Sequence, residues 1–229
     1  MVPVVATYAS AVAFIAGWRH RITAPFHAGL VLWTLAYRNS WSMVFHNDNL
    51  LVLHTIALAG SPAAGAWSLD ARRVGTPGPS RRYGWPLQLL RATTAATYFV
   101  AGMAKLRSPL GWRWATGESL RSQVLTDGLR KELLSTGASP VLPALLEQRA
   151  LWRALGLTSL AIEVGAPLAL LSRRAGRLWG LAAWSMHVGI FVTMRITFRH
   201  QLSGVAFAPW FDVERLPAHG LRRAADRIR

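Results

Sequence analysis

Six long apolar runs set the first constraint on this chain. They cover residues 2–18, 24–37, 50–69, 86–106, 151–171 and 178–194. About 20 residues at a rise of 1.5 Å per residue cross a bilayer core. Five of the runs meet or approach that length, and the run at 24–37 does so if it continues through Arg38 to Trp41. A shorter apolar segment follows at 202–211. The pattern predicts an all-α fold: a multi-pass transmembrane helical bundle of about six spans plus a short seventh apolar segment. The first positive charges, Arg19 and Arg21, come after the first run rather than before it. That order predicts a retained anchor instead of a cleaved leader.

Composition points the same way. Only 16% of the 229 residues are charged and 52% are hydrophobic. Soluble domains carry nearer one quarter charged residues. Eleven tryptophans fit a membrane–water interface. The net charge of +16 invites a nucleic-acid reading. However, the arginines sit in clusters between apolar runs rather than in a stripe on a polar domain, so no nucleic-acid partner is expected. With no cysteine, disulfides, zinc–thiolate sites and dithiol redox chemistry are excluded. Of the 26 basic residues only Lys105 and Lys131 are lysines.

The connections set a topology. Residues 72–82 hold four arginines among Gly75, Pro77, Gly78 and Pro79, which reads as a loop. Segment 107–149 is the one long polar stretch and is expected outside the membrane, with a helix over 118–134. Arginine clusters at 19–21, 72–82 and 173–177 place those loops on the cytoplasmic side. The expected organisation is a transmembrane domain over 1–211 and a basic tail over 212–229 in a multi-pass protein of the bacterial inner membrane, with lipid as its first partner.

Lipid should reject a few of the polar residues inside these runs. Glu163 lies near the middle of its run, so it should face the interior as a ligand or proton site, or hydrogen-bond a neighbouring helix. Lys105 ends the fourth run, where a lysine can also snorkel to the headgroups. Arg91, Tyr98 and Lys105 recur every seven residues and share one helix face. Gly102 beside that face permits close approach of a ligand or another helix. His187 and His54 sit alone in apolar runs and read as interhelical hydrogen-bonders. His46, Asp48 and Asn49 precede the third run, where Asp48 or Asn49 fits a helix cap. No HxxxH or ExxH pair is present, and no metal is expected.

Taken in order, several segments resemble the membrane region of vitamin K-dependent gamma-carboxylase, the HTTM domain shared with many bacterial proteins. Tyr98-Phe-Val-Ala-Gly-Met-Ala-Lys-Leu106, then Trp114 and Gly117, resembles that family's Tyr-Phe-x-Ala-Gly-x-x-Lys-Leu followed by Trp and Gly. Upstream, Asn47 to Leu51, Trp67-Ser-Leu-Asp70 and Arg91 resemble its Asn-His-x-Tyr-Leu, Trp-Ser-x-Asp and Arg positions. Downstream, Glu163 with Pro167, the Arg173–Arg174 turn, His187 and Phe207-Ala-Pro209 fall where the family has an acid, a basic turn, a His and a Phe-Pro-like step.

The resemblance implies a chemistry. In the carboxylase a lysine deprotonates reduced vitamin K, whose anion reacts with oxygen to give an epoxide and a strong base. By position Lys105 would be that lysine. A lysine amine against apolar surface is biased toward its neutral, basic form. Arg91, Tyr98, Gly102, Glu163, His187, Asn47 and Asp48 would surround a reduced quinone of the vitamin K or menaquinone type. The family's Asn-His step reads Asn47-Asp48 here, and a large substrate-gripping region after the apolar part is not expected. The implied activity is therefore quinol-dependent oxygenation or epoxidation rather than carboxylation of a peptide glutamate. The other readings are a membrane scaffold without catalysis, a lipid-binding subunit with a membrane or secreted protein partner, and a redox helper resembling DoxX or MauE proteins.

Overall fold

The computed structural model describes residues 2–41, 48–78 and 80–213. Ten α-helices are present among them: α1 (Val2–Ala16), α2 (His20–Ser40), α3 (Asn49–Ala59), α4 (Leu69–Val74), α5 (Gly84–Arg107), α6 (Glu118–Leu133), α7 (Leu142–Leu145), α8 (Arg149–Val164), α9 (Arg173–Met194) and α10 (Arg199–Leu202). The chain divides into two compact units, Met1–Thr93 and Thr94–Arg229.

The all-α expectation agrees with these elements, but the bundle of membrane spans does not. Among the described residues no helix is long and apolar enough to cross a membrane. Local chemistry explains the difference. The run at 2–18 makes a helix of 15 residues, about 22 Å, that stops before Gly17 in the left-handed region. In the run at 50–69, α3 stops at Ala59, because Gly60, Ser61 and Pro62 follow, and a 3-10 helix, Ala63–Gly65, comes after them. The run at 151–171 breaks at Gly165 ahead of Pro167 into α8 and a 3-10 helix, Ala166–Leu170. Helices α2, α5 and α9 have the length, but each carries several polar residues: His20, Arg21, His27 and Arg38 in α2, Gln88, Arg91 and three threonines in α5, and three arginines in α9. The short seventh apolar segment at 202–211 is not one long helix. It forms the end of α10 and a 3-10 helix, Val205–Trp210, whose Phe207 and Trp210 are buried.

In the first unit α1 packs on α2, and α2 on α3. Buried Ala24 and Ala28 keep the α2 face flat. The Phe14 ring of α1 stacks on His27 at 5.0 Å, and Ser10 Oγ lies 2.8 Å from His27 Nδ1. The start of α4 docks on the α1–α2 turn. Ser68 Oγ caps α4 by accepting from Ala71 N, while both Asp70 carboxylate oxygens accept backbone N–H groups, from Arg19 at 2.9 Å and His20 at 2.8 Å. Asp70 thus caps α2 from a distant part of the chain, and those donors hold its carboxyl below the usual carboxylate range.

In the second unit α6, α8 and α9 pack together. Segment 107–149 is more than an outside connection. It holds α6 over nearly the expected residues and supplies Val124 and Leu142, which with Trp152 form a buried cluster. Trp152 Nε1 donates to Leu145 O at 2.8 Å. Lys131, at the end of α6, donates to Met194 O at the end of α9 and pairs with Asp127 at 2.6 Å. Gly117 (φ +79°) and Gly156 make the backbones touch: a Cβ on Gly117 would lie 2.1 Å from Trp152 O, and one on Gly156 2.4 Å from Trp114 O.

Candidate functional site

The site lies in the second unit, where α5 meets α8. Gly102 permits the approach. A Cβ there would stand 2.9 Å from both Glu163 Cβ and Val164 N, so a larger residue would push the helices apart. One turn further along α5, Lys105 Nζ reaches Glu163 Oε1 at 2.5 Å. The Lys105 ammonium also sits over the Trp114 ring, 5.1 Å from its centroid. The two members are not equally covered. The side chain of Lys105 is 26% exposed and that of Glu163 only 8%, so the carboxyl is the inner partner. Burial pushes the Glu163 carboxyl above its ordinary range, and the Lys105 charge and hydrogen bond oppose that push. Glu163 Oε2 is buried without a hydrogen-bond partner among the described residues.

Lys105 and Glu163 line a cavity of about 350 Å³ enclosed by residues of α5, α6, α8 and α9 and by Trp114. This volume is within the range of small-molecule sites. The walls are mainly apolar, with hydroxyls from Thr158, Ser159, Ser185 and Thr193, and Lys105 and Glu163 are the two ionisable residues in the lining.

Tyr98 and His187 form a second buried pair. Tyr98 Oη lies 2.6 Å from His187 Nε2, and the Tyr98 ring meets Trp179 edge-on at 5.1 Å. Trp179 Nε1 in turn donates to Ile162 O, the backbone just before Glu163. Burial holds His187 neutral by pushing its pKa down to about 4. Burial and the nearby Glu163 charge push the Tyr98 hydroxyl upward. Neither residue is part of the cavity lining.

The candidates from sequence therefore separate. Lys105 and Glu163 share the cavity, and Gly102 sets the helix approach behind them. Tyr98 and His187 pair with each other. Arg91 and Asp48 belong to the first unit, where Asp48 pairs with Arg38. Asn47 and His46 lie outside the described residues, as does the tail from residue 214 onward. Sequence reasoning passed over Trp114 as a wall, and Thr158, Ser159, Ser185 and Thr193. A signal for the last two was present: Ser185, Gly189 and Thr193 recur every four residues in the C-terminal half of α9, a small and polar stripe at helical spacing.

Among curated proteins and among solved structures nothing matches this chain. The model of the HTTM domain matches residues 2–199, which takes in α1 to α9 and both members of the buried pair. The chain belongs to the HTTM domain family.

Proposed function

We propose that the chain is a reduced-quinone-dependent oxygenase or epoxidase in which Lys105 is the base. HTTM domains are membrane-associated and related to the membrane region of vitamin K-dependent carboxylase. The observation that carries the reading is the Lys105–Glu163 pair in the wall of a mainly apolar cavity. A quinol ring needs an apolar slot with a few polar groups, and mainly apolar walls that carry Lys105 and Glu163 support that reading. Lys105 would take the hydroxyl proton and, as an ammonium, face the resulting anion; Trp114 would form one wall. A reduced quinone supplies the electrons for the reaction, quinol plus dioxygen giving quinone epoxide plus water.

The proposed place of action is the bacterial inner membrane, where quinols reside. Large apolar side chains stand outward in number: Val5, Tyr8, Val12 and Ile15 on α1, Ile22 and Phe26 on α2, and Leu178 and Leu181 on α9 are each more than half exposed. Apolar surface on that scale supports contact with lipid, and the +16 charge favours anionic headgroups. The same surface also serves the second reading, a lipid-binding subunit without catalysis.

The test is to incubate detergent-purified protein with reduced menaquinone or vitamin K and oxygen, and to look for quinone epoxide by mass spectrometry. Epoxide is expected from the wild type and not from Lys105→Ala. No epoxide from folded wild type would sink the enzymatic reading and leave the lipid-binding one.

A further inference from the structure

We infer that Glu163 is the final acceptor of the proton that Lys105 takes from a ligand hydroxyl in the cavity, so that Lys105 works as a relay between ligand and carboxylate. This rests on the proposed quinol reading and specifies where its proton goes.

Three observations order the groups. Both residues line the cavity, and Lys105 is the more exposed partner and Glu163 the more buried one. Nζ and Oε1 are already 2.5 Å apart, so a proton can pass between them without movement of either helix. Lysine held as an ammonium is a donor only and has no lone pair for a further proton. Within an ion pair, then, it can accept the ligand's proton only by giving one up, and among the described residues Glu163 is the group bonded to it that can receive it.

The step balances. The ligand O–H bond breaks and an N–H bond forms on Lys105; an existing Nζ–H bond breaks and an O–H bond forms on Oε1. Lys105 remains an ammonium, now facing the ligand anion, and Glu163 becomes a neutral carboxylic acid. A neutral acid suits an 8% exposed position better than an isolated carboxylate does. The ionisable groups around the pair are few. Tyr98 on α5 is bonded to His187 on α9, and the cavity walls from α6 and α9 contribute none.

Glu163→Gln separates this from a purely structural role, because the amide keeps the shape and can still accept a hydrogen bond from the lysine. Two readouts apply. The first is the infrared difference spectrum on anaerobic addition of 1-naphthol, a bicyclic phenol without the second ring hydroxyl of a quinol. A protonated-carboxyl band should rise in the wild type and be absent from Glu163→Gln and Lys105→Ala. The second is the pH profile of epoxide formation. In the wild type the acidic limb belongs to the pair. In Glu163→Gln, which lacks the carboxylate, it should move to higher pH, with a loss of about 100-fold or more at neutral pH. A wild type that forms epoxide while Glu163→Gln keeps its limb and rate would overturn the inference and leave the quinol reading intact. A folded wild type that gives neither epoxide nor a carboxyl band would overturn both.

Discussion

Asp70 and His187 show how single residues in this chain trade between fold and chemistry. Asp70 belongs to the Trp-Ser-x-Asp segment of the family resemblance, and its work here is structural: it holds the first two N–H groups of the α1–α2 turn. Asp70→Asn should lower the melting temperature, and the loss should be largest at neutral pH. The wild-type carboxyl is depressed in the folded state, so its contribution is complete above the unfolded value and fades as pH falls through the acid range. Melting curves of both proteins across that range would check it. His187 behaves in a related way. Its folded pKa of about 4 lies below the ordinary 6.5, so folding favours the neutral ring. That contribution is intact above pH about 6.5 and is lost as pH falls toward about 4, by at most about 3 kcal/mol. The stability gap between wild type and His187→Gln should therefore narrow over that window in chemical denaturation. A gap that is constant with pH would mean that the ring is not buried neutral.

At the scale of elements, close backbone approach is what positions the site. Gly102→Ala would place a methyl 2.9 Å from Glu163 Cβ and Val164 N, a main-chain atom that cannot swing away. The expected cost is about 1–3 kcal/mol. Gly117→Ala should cost more, since its Cβ would fall 2.1 Å from Trp152 O on a backbone with φ +79°. Thermal unfolding of the two variants, ranked against wild type, checks both. Element type was legible in the sequence because long apolar runs of helix formers exclude most alternatives. The breaks were less so: Gly60-Ser-Pro62 and Gly165-Ala-Pro167 sit inside runs whose hydropathy hides them, and each converts one expected span into a shorter helix and a turn. The seven-residue spacing on α5 correctly put Tyr98 and Lys105 on one helix, but spacing carries no information about partners on other helices. It could not show that Lys105 pairs with Glu163 on α8 while Tyr98 turns to His187 on α9. The cavity walls were hidden for the same reason, because α6 lies in the segment that read as polar connection.

At the scale of the whole molecule, much of the apolar surface faces outward and the chain is strongly basic. Both features make membrane association testable apart from any chemistry. Purified protein should float with liposomes containing anionic lipid and do so less well with zwitterionic ones, the difference shrinking at high salt. Flotation insensitive to both would leave the apolar surface as the whole attraction. The proposed chemistry lies in the interior instead, where a lysine backed by a buried acid would serve a cavity that takes a reduced quinone. The most direct measurement supplies isotopically labelled dioxygen and reduced menaquinone to detergent-purified wild type and Lys105→Ala, and reads the product by mass spectrometry. The account predicts a quinone epoxide carrying one labelled oxygen from wild type alone. Equal epoxide from the two proteins, or none from folded wild type, would contradict it.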